Sequence, residues 1–147
     1  MRHVRLEQLV DILGGEQRIG RPIRHDFDLL AVNRDGLPTA SAIFLQKRFG
    51  FTNRTMSRML GISESTFQRR IQANGRLTPK ESEKVIALAE VYVRGMAVYE
   101  SEEDFRFWLL ASIPALGGRK PIMLLDSTIG RSFVLDILGR IQHGIFS

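Results

Sequence analysis

Apolar residues recur at helical spacing along this chain, and glycine closes one run after another, at Gly14-Gly15, Gly36, Gly50, Gly61, Gly75 and Gly144. A glycine just past the last periodic position takes the left-handed backbone that ends a helix, without the steric penalty other residues meet there. A chain cut in this way folds as short helices joined by tight turns. No segment shows the sustained period-two alternation of a half-buried strand, so the spacing predicts an all-α protein. Leu6, Leu9, Val10 and Leu13 share one face of a first helix over residues 4–13, whereas residues 16–26, polar and basic around Pro22, read as loop. "FDLLAVNRD", "PTASAIFLQKRF" with Pro38 at its first position, "TNRTMSRML" and "ESTFQRRIQAN" follow, each stopped by a glycine.

A new stretch opens at Leu77. In "LTPKESEKVIALAEVYVRG" Thr78 is an N-cap, Pro79 sits in the first turn, and Glu81 stands three residues after the cap, which makes a capping box. Val85, Leu88, Ala89, Tyr92 and Met96 form its apolar face. "SEEDFRFWLLAS" is predicted to start another helix, with Ser101 as cap and three acids against the positive end of the dipole, ended by Pro114. A Gly117-Gly118 loop, a helical turn in "KPIMLLD" and a last helix complete the chain, with Phe133, Val134, Ile137, Leu138 and Ile141 on one stripe. Two domains are expected, 1–76 and 77–147.

Charge separates the same two stretches. Residues 1–76 carry 13 Lys+Arg against 7 Asp+Glu, and residues 77–147 carry 8 against 9. Within 46–76, seven cations face the single acid Glu64. A basic first half suggests a polyanionic partner there, and a neutral second half a different task.

The basic region contains "TNRTMSRML-GIS-ESTFQRRIQ", two short helices meeting at Gly61. Such a helix-turn-helix unit lays its second helix in the DNA major groove. Small Ser57 permits close approach of the helices; Leu60, Ile62, Phe67 and Ile71 point inward; and Ser63 caps the second helix. Ser65, Thr66, Gln68, Arg69 and, further round, Arg70 then face outward, types that pair with base edges or phosphates. Arg54 and Arg58 on the preceding helix are placed for phosphate contacts, which add affinity but little sequence information. The candidate DNA-binding set is therefore Arg54, Arg58, Ser63, Ser65, Thr66, Gln68, Arg69 and Arg70, within residues 52–74. A single module binds weakly, so a homodimer on a two-part site is expected. The alternative is an ordinary helical corner with a solvated basic face.

Other chemistries lack their residues. Without cysteine there is no disulfide, thiolate zinc site or cysteine nucleophile. His3, His25 and His143 are scattered with no metal-ligand spacing, and neither a phosphate-binding loop nor a G-x-S-x-G elbow occurs. No catalysis, metal or cofactor is expected. "FWLLASIPAL" is too short for a membrane span and no signal-peptide pattern opens the chain, so no membrane partner and a cytoplasmic location are expected.

The second half, together with the corner, carries a further pattern: "LTPKES", Trp108-Leu109, Pro114, Leu116-Gly117-Gly118, Pro121, Leu124-Leu125, Gly130, Val134, Leu138, Arg140-Ile141 and His143-Gly144, preceded by "GLP" at 36–38 and the "LGIS…T…RR" turn. In order and spacing this resembles the Xre/MbcA/ParS-type antitoxins, partners of RES-domain toxins, over about residues 36–147. Phe67 departs from the aliphatic residue that many relatives carry in the recognition helix. The resemblance implies an Xre-like helix-turn-helix bundle followed by a small helical domain that binds toxin and dimerises. It implies an antitoxin that blocks the active site of an NAD-degrading RES-domain toxin with residues near its C terminus, represses its own operon at operator DNA, and forms a higher-order hetero-oligomer. Arg119, Lys120, Arg140, His143, Gly144, Ile145, Phe146 and Ser147 are the candidate toxin-binding residues. Ile145 and Phe146 lie beyond a helix-ending glycine, where apolar residues either fold back or enter a partner. Trp108 is expected in the core, and Phe105 and Phe107, two apart, cannot both face inward. The main rival is a stand-alone helix-turn-helix regulator whose second half only dimerises.

Overall fold

The structure, a computed structural model, describes residues 2–144. Among them the chain forms nine α-helices: α1 Arg2–Ile12, α2 Gly15–Ile19, α3 Asp26–Asp35, α4 Thr39–Phe49, α5 Asn53–Leu60, α6 Glu64–Ala73, α7 Pro79–Val98, α8 Glu102–Leu109 and α9 Thr128–Gln142. Two 3-10 turns, Pro114–Leu116 and Pro121–Leu124, lie between α8 and α9. The all-α expectation holds: strand-type backbone pairing is limited, among these residues, to isolated bridges. The chain divides into two compact units, Met1–Ala89 and Glu90–Ser147.

In the first unit α4 packs against α1, α2 and α6, and α5 against α6. Leu13, Leu37, Leu45, Met56, Met59 and Phe67 are fully buried. Residues 16–26, expected as loop, hold most of α2 and the first residue of α3. Gly14 and Gly15, both at positive φ, turn the chain directly into it, and Ile19 and Ile23 supply the apolar contacts that their polar neighbours obscure. Buried Gln46 fastens the α4–α5 link, donating from Nε2 to the Phe51 carbonyl (3.2 Å) and to Asn53 Oδ1 (2.8 Å). The Phe49 and Phe51 rings stack beside it with centroids 4.5 Å apart.

The expected boundary at Leu77 falls at the start of α7, whereas the division between units lies further along that helix. The reason is a set of hydrogen bonds tying 36–39 to 75–82. Thr39 N and Oγ1 both donate to the Gly75 carbonyl (2.8 Å each), Leu77 N to Leu37 O (2.8 Å), and Leu37 N to Ser82 Oγ (2.8 Å). A Cβ on Gly36 would sit 2.1 Å from the Leu77 carbonyl oxygen, so this close approach requires glycine. The predicted capping box forms: Glu81 N donates to Thr78 Oγ1 (3.2 Å) and Thr78 N to Glu81 Oε1 (2.9 Å).

In the second unit the Pro121–Leu124 turn packs on both α8 and α9. Tyr92, Phe105, Tyr99 and Trp108 form an aromatic cluster with ring centroids 5.6–6.3 Å apart. A Cβ on Gly95 would meet the Phe105 ring at 2.2 Å, so α7 is small where that ring lies against it. Helix α8 ends at Leu109, ahead of Pro114, which instead opens a 3-10 turn. Phe133 leaves its predicted stripe and is 53% exposed, while Val134, Ile137 and Leu138 are buried. Arg131 is buried instead, donating to the Leu125 carbonyl (3.0 Å) and to Thr128 Oγ1 (3.3 Å). It satisfies a carbonyl left without a helical partner at the turn before α9.

Candidate functional site

The corner between α5 and α6 is built from local chemistry. Thr52 Oγ1 accepts from Thr55 N (3.1 Å) and opens α5. Gly61, at φ 73°, closes it: Gly61 N donates to Arg58 O (3.1 Å) and Ile62 N to Ser57 O (3.0 Å), the paired bonds of a Schellman turn. Buried Ser57 donates its hydroxyl back to the Arg54 carbonyl (2.8 Å) and adds no bulk between the helices. Two residues later Ser63 Oγ accepts from Thr66 N (3.1 Å) and opens α6. Phe67 and Leu60 are fully buried, while Ile62 and Ile71 are half-buried. Asn74 at φ 51°, not Gly75, takes the left-handed position that ends α6; asparagine is the residue that tolerates that conformation best after glycine.

This backbone presents one exposed polar face. Ser65, Gln68 and Arg69 lie on it. The Thr66 hydroxyl oxygen accepts from Ser63 Oγ (3.0 Å) and from Arg69 Nη2 (3.2 Å), so Ser63, Thr66 and Arg69 form a connected group at the start of α6. Arg54 and Arg58 are exposed on α5, and Arg54 Nε lies 3.3 Å from Glu64 Oε1.

Arg70 lies elsewhere. Its guanidinium is half-buried and paired with Glu81 at the start of α7, and the same Glu81 oxygen accepts from Thr78 N. Burial alone would raise the Glu81 carboxyl, but the bonds from Arg70 and from Thr78 N outweigh it and hold the group below the usual carboxylate range. Arg76 likewise turns back, donating to the Gly36 carbonyl (2.9 Å). Two of the seven cations counted over 46–76 thus fasten the first unit together, and the basic face is narrower than composition implies.

In the second unit Gly117 and Gly118, at φ 66° and 80°, close a tight loop in which Ile113 N donates to Arg119 O (3.1 Å). Arg119 and Lys120 are exposed on it, and Arg119 Nη1 reaches the Leu116 carbonyl (3.1 Å). Arg140 pairs with Asp136 one turn earlier on α9 (3.0 Å). His143 caps α9 through its backbone N–H, and its side chain and Gly144 are exposed. Ile145, Phe146 and Ser147 lie outside the described residues. Of the pair expected not to face inward together, Phe105 is buried and Phe107 is 77% exposed; sequence reasoning left out Leu110, Met123 and Ile129 (67%) as exposed apolar side chains and put the exposed Phe133 on an inward stripe. The signal for α8 was present, since with Phe105, Trp108 and Leu109 inward, helical phase puts Phe107 and Leu110 outside.

Among the described residues no group of three His, Asp or Glu side chains is placed to hold a metal, and no helix is long and apolar enough to cross a membrane.

Comparison with known proteins defines the class. The sequence model of the antitoxin Xre-like helix-turn-helix domain matches residues 28–90, and that of the antitoxin Xre/MbcA/ParS C-terminal toxin-binding domain matches residues 94–144. Antitoxin Xre of Photorhabdus laumondii is 28% identical over 130 residues, covering 88% of each chain. Antitoxin Xre of Yersinia enterocolitica is 33% identical over 91 residues, 61% of this chain and 62% of that protein. A Prs ADP-ribosylating antitoxin of Sphingobium is 32% identical over 97 residues, covering 60% of this chain and 61% of its own. A chain from the crystal structure of the M. tuberculosis MbcT–MbcA toxin–antitoxin complex matches with a TM-score of 0.57 at 19% identity, over 74% of this chain and 96% of that one, a likeness of fold. The chain belongs to the Xre/MbcA/ParS antitoxin family. It is an antitoxin of a toxin–antitoxin system, with a helix-turn-helix domain and a C-terminal domain for its toxin partner.

Proposed function

We propose that this antitoxin acts in the cytoplasm, by binding alone and without a catalytic step, at two sites. The 94–144 domain holds a RES-domain, NAD-degrading toxin and blocks its active site with residues around the end of α9: Arg140, His143, Gly144 and the following Ile145, Phe146 and Ser147. Arg119 and Lys120 flank the contact. The α5–α6 corner binds operator DNA and represses the operon, with Gln68, Arg69 and Ser65 at base edges and Arg54 and Arg58 on phosphates. Arg70 serves as an internal fastener of that module. A homodimer matches the two-part operator, and the toxin complex contains more than one copy of each chain.

The observation that carries the DNA half is the exposed Ser65–Gln68–Arg69 face on a helix that is capped at both ends and seated by fully buried Phe67. Support for the toxin half comes from the matched toxin-binding domain and from the large apolar side chains exposed within it, since surface of that kind is unusual on an isolated soluble chain. Co-expression of the tagged chain with the adjacent open reading frame tests it. A stable complex, with growth rescued by the full chain and lost on removing Gly144–Ser147, is the expected result. No complex and no toxicity from the neighbouring product would leave a stand-alone regulator.

A further inference from the structure

One polar residue at the reading end of α6 has no part in the account above. Glu64 is the first residue of that helix and the only acid among residues 46–76. Residues at the start of a recognition helix are the ones that reach base edges. A carboxylate there opposes DNA phosphate, and its favourable interaction with the helix dipole would be served equally at positions turned away from the groove. Glu64 is instead exposed beside Ser65, and its Oε1 lies 3.3 Å from Arg54 Nε, the cation placed for the backbone. Both partners are largely exposed, Arg54 by 87% and Glu64 by 54%, so the pair is weak and easily exchanged for contacts to DNA.

We infer that Glu64 is a specificity-determining residue of the DNA-binding corner: its carboxylate accepts a hydrogen bond from the N4 amino group of a cytosine in the major groove. The inference rests on the proposed DNA-binding function. Carboxylates read cytosine because its major-groove edge offers only a donor, whereas guanine offers two acceptors that would repel the charge. On a sequence without that cytosine, the carboxylate faces the backbone field uncompensated and lowers affinity. In the free protein Arg54 neutralises Glu64; on the operator Arg54 transfers to a phosphate and the base amino group replaces it. Glu64 thereby makes non-specific docking less favourable than the cationic face alone would make it.

The test is enrichment of a randomised duplex library by the full-length protein and by Glu64→Gln, followed by salt titrations on the winning and a scrambled duplex. Glutamine fills the same space and pairs with adenine. Wild type is expected to enrich a motif with cytosine at one position of each half-site. Glu64→Gln should move that position from cytosine to adenine, leave the others unchanged, and bind the scrambled duplex several-fold more tightly. At the altered position the preference should change by about tenfold or more. An identical motif from both proteins, or one change in affinity shared equally by all duplexes, would overturn the inference while leaving the DNA-binding corner standing. A wild-type protein that enriches no motif would overturn both. Circular dichroism of Glu64→Gln matching wild type is required for the expected result to count as support.

Discussion

The helix-turn-helix corner and the second unit are assembled from the same short capped helices, yet they offer solvent opposite chemistry. At the corner every large apolar side chain from Met56 to Phe67 is buried or half-buried, and the outward face carries Ser65, Gln68, Arg69, Arg54 and Arg58. In the second unit an aromatic cluster fills the interior while Phe107, Ile129 and Phe133 are left more than half exposed. A polar, basic face suits a hydrated polyanion, where affinity comes from phosphate contacts and selectivity from a few base contacts. Exposed phenylalanine and isoleucine suit a partner that removes water from them. On the proposed function, the difference keeps two partners apart: each surface is poorly matched to the other's ligand.

Substitutions sharpen this contrast. The largest effect is expected at Phe105, fully buried among Tyr92, Tyr99 and Trp108. Phe105→Ala should cost about 3–5 kcal/mol in urea denaturation and abolish toxin capture, because a ring-sized cavity opens in the second unit. The neighbouring pair Arg70 and Arg69 then separates scaffold from reader within one helix turn. Arg70→Ala leaves the Glu81 carboxylate buried without its cation and should cost about 1–3 kcal/mol of stability. Arg69→Ala should change stability by less than about 0.5 kcal/mol but cost ~1–3 kcal/mol on the operator and relax one base preference. Equal weakening on operator and scrambled DNA would show that Arg69 contacts phosphate instead. Arg58→Ala is the weaker probe: all duplexes should lose affinity alike, with the salt slope reduced by about one.

The smallest effect concerns pH. Because the Glu81 carboxyl in the folded chain titrates below its unfolded value, its contribution is fully present above the unfolded value and is lost as pH falls through the folded one. The stability advantage of wild type over Glu81→Gln should therefore be full above the unfolded carboxylate value and shrink as pH falls, with the two stability curves converging at the acid end. A pH-independent gap between them would place the role of Glu81 in its hydrogen bonds alone.

Much of this was legible in the amino-acid order because the signals were local. Gly36, Gly50 and Gly61, the Ser63 and Ser101 caps, and the Thr78–Glu81 box each act within a few residues, and each is found where spacing placed it. What spacing missed depends on contacts distant in sequence. The pull of Arg70 toward Glu81 comes from eleven residues away, and the fastening of α7 to residues 36–39 from forty or more. Phe133 fits an apolar stripe by pattern, yet Arg131 is drawn inward by a carbonyl that only the folded turn presents. Asn74 rather than Gly75 ends α6, while the Gly75 carbonyl is engaged by Thr39 from thirty-six residues away. The toxin-binding and DNA-binding assignments themselves rest on residue types, exposure and family, and the tail at Ile145–Ser147 rests on sequence alone.

The claim at the centre is that the two surfaces work separately, and one paired measurement addresses it: operator affinity and toxin capture determined on the same preparations of wild type, Arg69→Ala and a Phe107→Ala/Phe133→Ala double variant. Arg69→Ala should lose operator binding and capture toxin like wild type, and the double variant should do the reverse. If either variant lost both activities while retaining its fold, the two surfaces would not be independent and the division of labour drawn here would be wrong.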